Sequence, residues 1–193
     1  MQPFEKSDPA SNPQGRVPCE LKLLGAPITL TAEEEARVAW LFTRYPTRQA
    51  AVLPILWMIQ EKIGWVPEEA ITLVAERCRV PVSHVYGVVS FYTMYNRAPI
   101  GAYHLQVCTN LSCQILGAEH VLDCLRRRLG IELGGTTEDG MFSLSEVECL
   151  AACEMAPVVQ VNDDLVGPLD EGGIDRLLAR LRDSAARRTE AGR

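Results

Sequence analysis

The sequence predicts an α+β chain in which an N-terminal helical bundle precedes a small α/β domain. Three observations carry this. Apolar residues recur at helical spacing from Thr31 to about Tyr95, the period changes to strand-like alternation from Ala102, and four cysteines fall in two short pairs beside the alternating segments. The pairs are Cys108-Thr-Asn-Leu-Ser-Cys113 and Cys149-Leu-Ala-Ala-Cys153. Four thiolates so arranged can close around a metal centre.

The expected divisions are a disordered tail over 1–27, the bundle over 28–98, the α/β domain over 99–183 and a second tail over 184–193. Pro3, Pro9, Pro13, Pro18 and Pro27 stand among Ser, Asn, Gln and Gly, a mixture too polar to offset the entropy of ordering. Cys19, within it, reads as an incidental thiol.

Thr31-Ala-Glu-Glu34 is a capping box and opens a helix that should reach Arg44, before Pro46. A second helical run from Thr47 to Ile63 places Leu53, Leu56, Ile59 and Ile63 inward and stops at Gly64. Pro54 must either kink it or stand near its true start. Pro67, at a first helical position before Glu68 and Glu69, opens a third helix to about Cys78, and Pro81 a short fourth through Val85, Val88 and Val89. The stretch from Val74 to Tyr86 imitates a helix-turn-helix. Its second helix starts with Pro81, Val82, Ser83 and His84, however, where a DNA reader needs Arg, Lys, Asn or Gln, so packing explains it better.

Tyr103-His-Leu-Gln-Val107 alternates as a strand. Val121, Leu122, Leu125 and Leu129 share one helical face ended by Gly130, and Met141 to Val147 alternates again. Pro157 to Val161 is a third strand, Asn162-Asp163 a turn, Leu165-Val166 a short fourth strand, and Ile174, Leu177, Leu178 and Leu181 mark a last amphipathic helix. The order β-α-β-β-α around a small sheet is that of a reduced thioredoxin-like domain. Both cysteine pairs then fall in loops at strand ends.

Composition narrows the chemistry. The chain has 193 residues, 47% hydrophobic and 23% charged, with formal net charge −6 and a sequence pI near 5.2, which argues against a nucleic-acid surface. Arg126-Arg127-Arg128 reads as a solvated helix face. No run of 18 apolar residues exists, and neither a secretory nor a transit signal is apparent, so a reducing, cytoplasmic compartment is expected, with metal-bound or free thiols over disulfides. A structural zinc site uses four cysteines, more often with two-residue gaps. Two disulfides are possible geometrically. A binuclear iron–sulfur cluster takes four cysteines and tolerates a four-residue gap, and suits the spacing best. Leu111, Ile115, Leu150, Ala151 and Ala152 would partly shield it. Cys78 and Cys124 fall on helix faces as inert buried thiols. His84, His104 and His120 stand singly, although His104 could tune a nearby cluster through a hydrogen bond. Gly134-Gly135 and Gly172-Gly173 are turn glycines, and no catalytic base, nucleophile or nucleotide loop is evident.

Four strings carry a resemblance: Val85-Tyr-Gly-Val-Val-Ser-Phe-Tyr-Thr-Met-Tyr95, Pro99 to Cys108, Val147-Glu-Cys-Leu-Ala-Ala-Cys-Glu-Met-Ala-Pro-Val158, and Gln160-Val-Asn-Asp163. With Arg44-Tyr-Pro46, Leu53-Pro54 and Gln60-Glu-Lys-Ile-Gly-Trp65, the chain resembles the family of 24-kilodalton subunits of respiratory complex I, the NADH:quinone oxidoreductase, over residues 30–183. The resemblance implies a thioredoxin-like ferredoxin domain with one [2Fe-2S] cluster ligated by Cys108, Cys113, Cys149 and Cys153. It also implies a partner flavoprotein that carries FMN and the NADH site, single-electron exchange with that flavin, and attachment to the inner face of the cell membrane only through the complex. Enzyme activity would belong to the complex, with no independent active site in this chain. Equivalent subunits of NAD-linked hydrogenases or formate dehydrogenases are the related alternative, and a structural zinc module the different one. Trp57, Trp65, Tyr92 and Tyr95 look exposed and are candidate docking residues, with core packing the equal alternative. Ala151 stands where many family members have Gly, a departure that matters if the position needs positive φ.

Overall fold

A computed structural model describes residues 28–191. The expected N-terminal tail, with Cys19, lies outside the described residues. The rest forms two compact units, residues 28–99 and 100–191.

The first unit is helical. Helix α1 (Ala32–Arg44) starts at the expected capping box. The Glu34 N–H donates to Thr31 Oγ1 at 3.2 Å and the Thr31 N–H donates to Glu34 Oε2 at 2.7 Å. Lys62 reaches the same carboxylate at 2.9 Å. A 3₁₀ turn, Arg48–Ala51, leads into α2 (Val52–Ile63), so Pro54 is the third helical residue. There its missing N–H would have had no intrahelical partner, and no kink is required. Gly64 ends α2 at φ 93°, a left-handed terminus that glycine adopts freely. Helices α3 (Glu68–Cys78) and α4 (Val82–Phe91) follow. Val38, Ile55, Leu56, Ile59, Val74, Val85 and Val89 fill the core, with Val74 and Val85 contributed by the helix-turn-helix look-alike.

Two expectations shift. Leu56 and Ile59 are buried as expected, but Leu53 and Ile63 are only half-buried, and Val52, Ile55, Met58 and Gln60 complete the inward face of α2. Trp65 and Tyr95 are buried rather than exposed, the Tyr95 hydroxyl donating to the Leu53 carbonyl at 2.8 Å, while Tyr92 is exposed.

The second unit is the expected small α/β domain. Strands β1 (Tyr103–Cys108), β2 (Phe142–Val147), β3 (Val159–Val161) and β4 (Asp164–Val166) make one sheet in the order β2-β1-β3-β4. β1 and β2 are parallel, which requires a crossover, and it is made by α5 (Leu111–Ile115) and α6 (Ala118–Leu129). β1–β3 and β3–β4 are antiparallel. Tyr103, Leu105, Val107 and Leu144 pack with Val121 and Leu125 of α6 and with Ile174, Leu178 and Leu181 of α7 (Glu171–Ala191). Helix α7 runs on through 184–191, where a tail is expected from the sequence; Ala185, Ala186 and Arg187 are good helix formers, and no Gly or Pro interrupts between Gly173 and Gly192. Arg127 and Arg128 are indeed exposed, whereas Arg126 is half-buried, and each is paired: Arg126 with Asp123 and Glu132, Arg127 with Glu171, Arg128 with Asp175. Among the described residues no helix is long and apolar enough to cross a membrane.

Candidate metal centre

The register decides where the cysteines meet. Cys108 is the last residue of β1 and lies opposite Val147, the last residue of β2. Because the two strands are parallel, the chain leaves the sheet at the same edge twice, and Cys149 follows two residues beyond Val147. Cys113 arrives by a different device from the one expected: it lies in α5 and not in a loop. Asn110 caps that helix, its Oδ1 accepting the Leu111 N–H at 2.7 Å. An Asn directly before a short apolar run was the available signal. Cys153 opens a 3₁₀ turn, Cys153–Met155. All four cysteines line one small cavity with Asn110, Ser112, Ala151, Ala152 and Val158.

The two pairs differ in exposure. Cys108 and Cys113 are 3% and 2% exposed, whereas Cys149 and Cys153 are exposed. All four are free thiols, as are the buried Cys78 and Cys124, so no disulfide forms among the described residues. Cys124 belongs to the core beneath the sheet, and burial pushes the Cys78 thiol up to about 11, as suits inert side chains. Among the described residues no three His, Cys, Asp or Glu side chains gather tightly enough for a single ion. The cysteines line a cavity rather than close on a point.

Backbone amides point at the sulfurs. The Ala151 N–H lies 3.3 Å from Cys149 Sγ. Burial raises the Cys108 thiol, but hydrogen bonds from the Asn110 and Leu150 backbones and from the Cys113 side chain outweigh it, holding Cys108 below the usual thiol range. Burial pushes Cys113 up; the Val158 backbone opposes this, while Cys108 and Cys153 reinforce it. These donors are main-chain groups, so no residue type announces them.

The apolar surroundings are less enclosing than expected. Ala152 is buried and Leu150 packs against the cysteine cluster, but Leu111 and Ile115 are 71% and 74% exposed and, with Leu116, form an outward apolar rim. His104 Nε2 sits 2.8 Å from Ser145 Oγ, His120 pairs with Glu171, and neither bond is to a cysteine.

A family model described as "Thioredoxin-like [2Fe-2S] ferredoxin" matches residues 38–182. The chain belongs to the thioredoxin-like [2Fe-2S] ferredoxin family. Its cofactor is a [2Fe-2S] cluster, and four free cysteines at one sheet edge, with amides directed at sulfur, fit such a group. Two relatives, each named as a subunit of NADH-quinone oxidoreductase, come from Rhizobium meliloti and Thermus thermophilus and are 45% and 44% identical to the chain. The matches cover 80% and 73% of this chain, and 90% and 80% of those relatives. Among solved structures, an NAD+-reducing [NiFe]-hydrogenase in the H2-reduced state aligns with TM-score 0.61 at 18% identity, over 69% of this chain and 22% of that one. At that identity the likeness is one of fold.

Proposed function

We propose that this chain is the electron-transfer subunit of an NADH:quinone oxidoreductase. Its [2Fe-2S] cluster is held by Cys108, Cys113, Cys149 and Cys153, and it docks on an FMN- and NADH-binding flavoprotein subunit. The observation that carries the ligand set is the meeting of these four free thiols in one cavity at the carboxyl ends of two parallel strands. The 45% and 44% identity to oxidoreductase subunits supports the complex.

When bound, the cluster supplies a one-electron step, the unit needed to divide the two electrons of a hydride. The chain's own residues supply the holding geometry. β1 and β2 fix the directions of Cys108 and Cys149, the Asn110 cap turns α5 so that Cys113 faces inward, and the 3₁₀ turn returns Cys153. Amides of Asn110, Leu150, Ala151 and Val158 stabilise negative charge on sulfur. Val158 and Ala152 keep water from the inner pair. The exposed outer pair, beside the Leu111, Ile115 and Leu116 rim, gives a partner protein short access to the cluster. Attachment to the cytoplasmic face of a membrane would come through the assembled complex.

Six single Cys→Ser variants test the reading. C108S, C113S, C149S and C153S should each lose iron, acid-labile sulfide and the EPR signal of the dithionite-reduced protein, whereas C78S and C124S should keep all three. Zinc without iron, or equal loss in C124S, would overturn it. Copurification with an NADH-oxidising flavoprotein tests the assembly.

A further inference from the structure

Three described residues other than glycine have positive φ, and two have evident local reasons. Arg79 caps α3, its N–H closing on the Ala75 and Glu76 carbonyls. Asn162 makes the β3–β4 turn, where its side chain accepts the His104 N–H and donates to the Ala102 carbonyl. The third is Ala151, at φ 54°, in the middle of the second cysteine loop. An alanine there is strained relative to the right-handed regions, because its Cβ crowds the following carbonyl oxygen.

That conformation coincides with a contact to sulfur. The Ala151 N–H lies 3.3 Å from Cys149 Sγ, while the preceding amide, of Leu150, bonds Cys108 of the other pair. Consecutive amides thus reach one sulfur from each pair. Flipping the Leu150–Ala151 peptide would return φ to negative values and turn the Ala151 N–H away from Cys149. The strained angle and the contact belong to the same peptide orientation.

We propose that Ala151 is a positioning residue that sets the reduction potential. Its left-handed backbone holds the Leu150–Ala151 amide on Cys149 Sγ, and that donor favours the more negative, reduced state of the cluster. The proposal rests on the four-cysteine reading above. It assigns the role to the main chain, so the side chain matters only through the φ it tolerates.

The test is an EPR-monitored redox titration of the full chain with its cluster. A151G and A151N, which accept positive φ, should keep the wild-type midpoint potential. A151V, which resists it, should titrate at a lower potential. A semisynthetic chain, ligated at Cys149 with an ester replacing the Leu150–Ala151 amide, removes only the N–H and should also titrate lower; it decides the matter where A151V loads poorly. A wild-type potential in the ester chain, or an A151G shift equal to that of A151V, would overturn the proposal. Failure of the ligand reading looks different: wild-type protein would lack iron and sulfide, and the proposal would fall with it.

Discussion

Gln60 is 1% exposed on the inner face of α2, and both ends of its amide are used. Nε2 donates to the Met94 carbonyl at 2.8 Å, and Oε1 accepts the Asn96 N–H at 2.7 Å. These two bonds tie α2 to the segment that follows α4. Gln60→Leu preserves volume and removes both, leaving a carbonyl and an N–H to be desolvated without partners at about 1–3 kcal/mol each. Against this total of roughly 2–6 kcal/mol, burying a leucine side chain returns about 1.5–3 kcal/mol, for a net loss of about 0.5–3 kcal/mol. The three tryptophans, Trp40, Trp57 and Trp65, all lie in the helical unit, so fluorescence during urea unfolding reports on that unit. Q60L should lower the urea midpoint with an unchanged slope. A loss below about 0.5 kcal/mol, the range of ordinary surface substitutions, would refute the argument that these bonds are dry and needed.

Three further outcomes are expected. Gly167→Ala should destabilise by about 1–3 kcal/mol and lower iron content, because its Cβ would run into the Met155 carbonyl oxygen and approach Pro157 O to 3.0 Å, all backbone atoms next to the Cys153 turn; circular-dichroism melts and iron assays would show it. Thr31→Ala should cost about 1 kcal/mol through loss of the α1 cap, measured by urea unfolding. Asp139 accepts from the Thr137 hydroxyl and the Met141 N–H, and these bonds hold its carboxyl below the usual range. Its contribution is therefore complete above the ordinary carboxylate range and lost as pH falls through the lowered folded value, so the gap in urea midpoint between wild type and D139N should be open at neutral pH and close in acid.

Much of the fold was legible because the signals are local. The Thr31 capping box, the Gly64 terminator and the apolar periods of α6 and α7 each lie within one segment, and the structure keeps them. The misses are non-local. Gln60 becomes a buried, doubly bonded amide only where the Met94–Asn96 segment is laid across α2. Trp65 and Tyr95 read as exposed until the bundle closes over them. Leu111 and Ile115 read as shields, yet the helical turn that carries Cys113 inward carries them outward.

By itself the sequence determined the four cysteines, the sulfur chemistry open to them and the change from helical to strand periodicity, because residue type and spacing are one-dimensional facts. Only the tertiary structure decided that β1 and β2 run parallel with their ends in register, since a ladder joins segments some forty residues apart. It also decided which pair is buried, which amides face sulfur and that Ala151 holds a left-handed backbone, because each depends on the path of the main chain rather than on the side chain it bears.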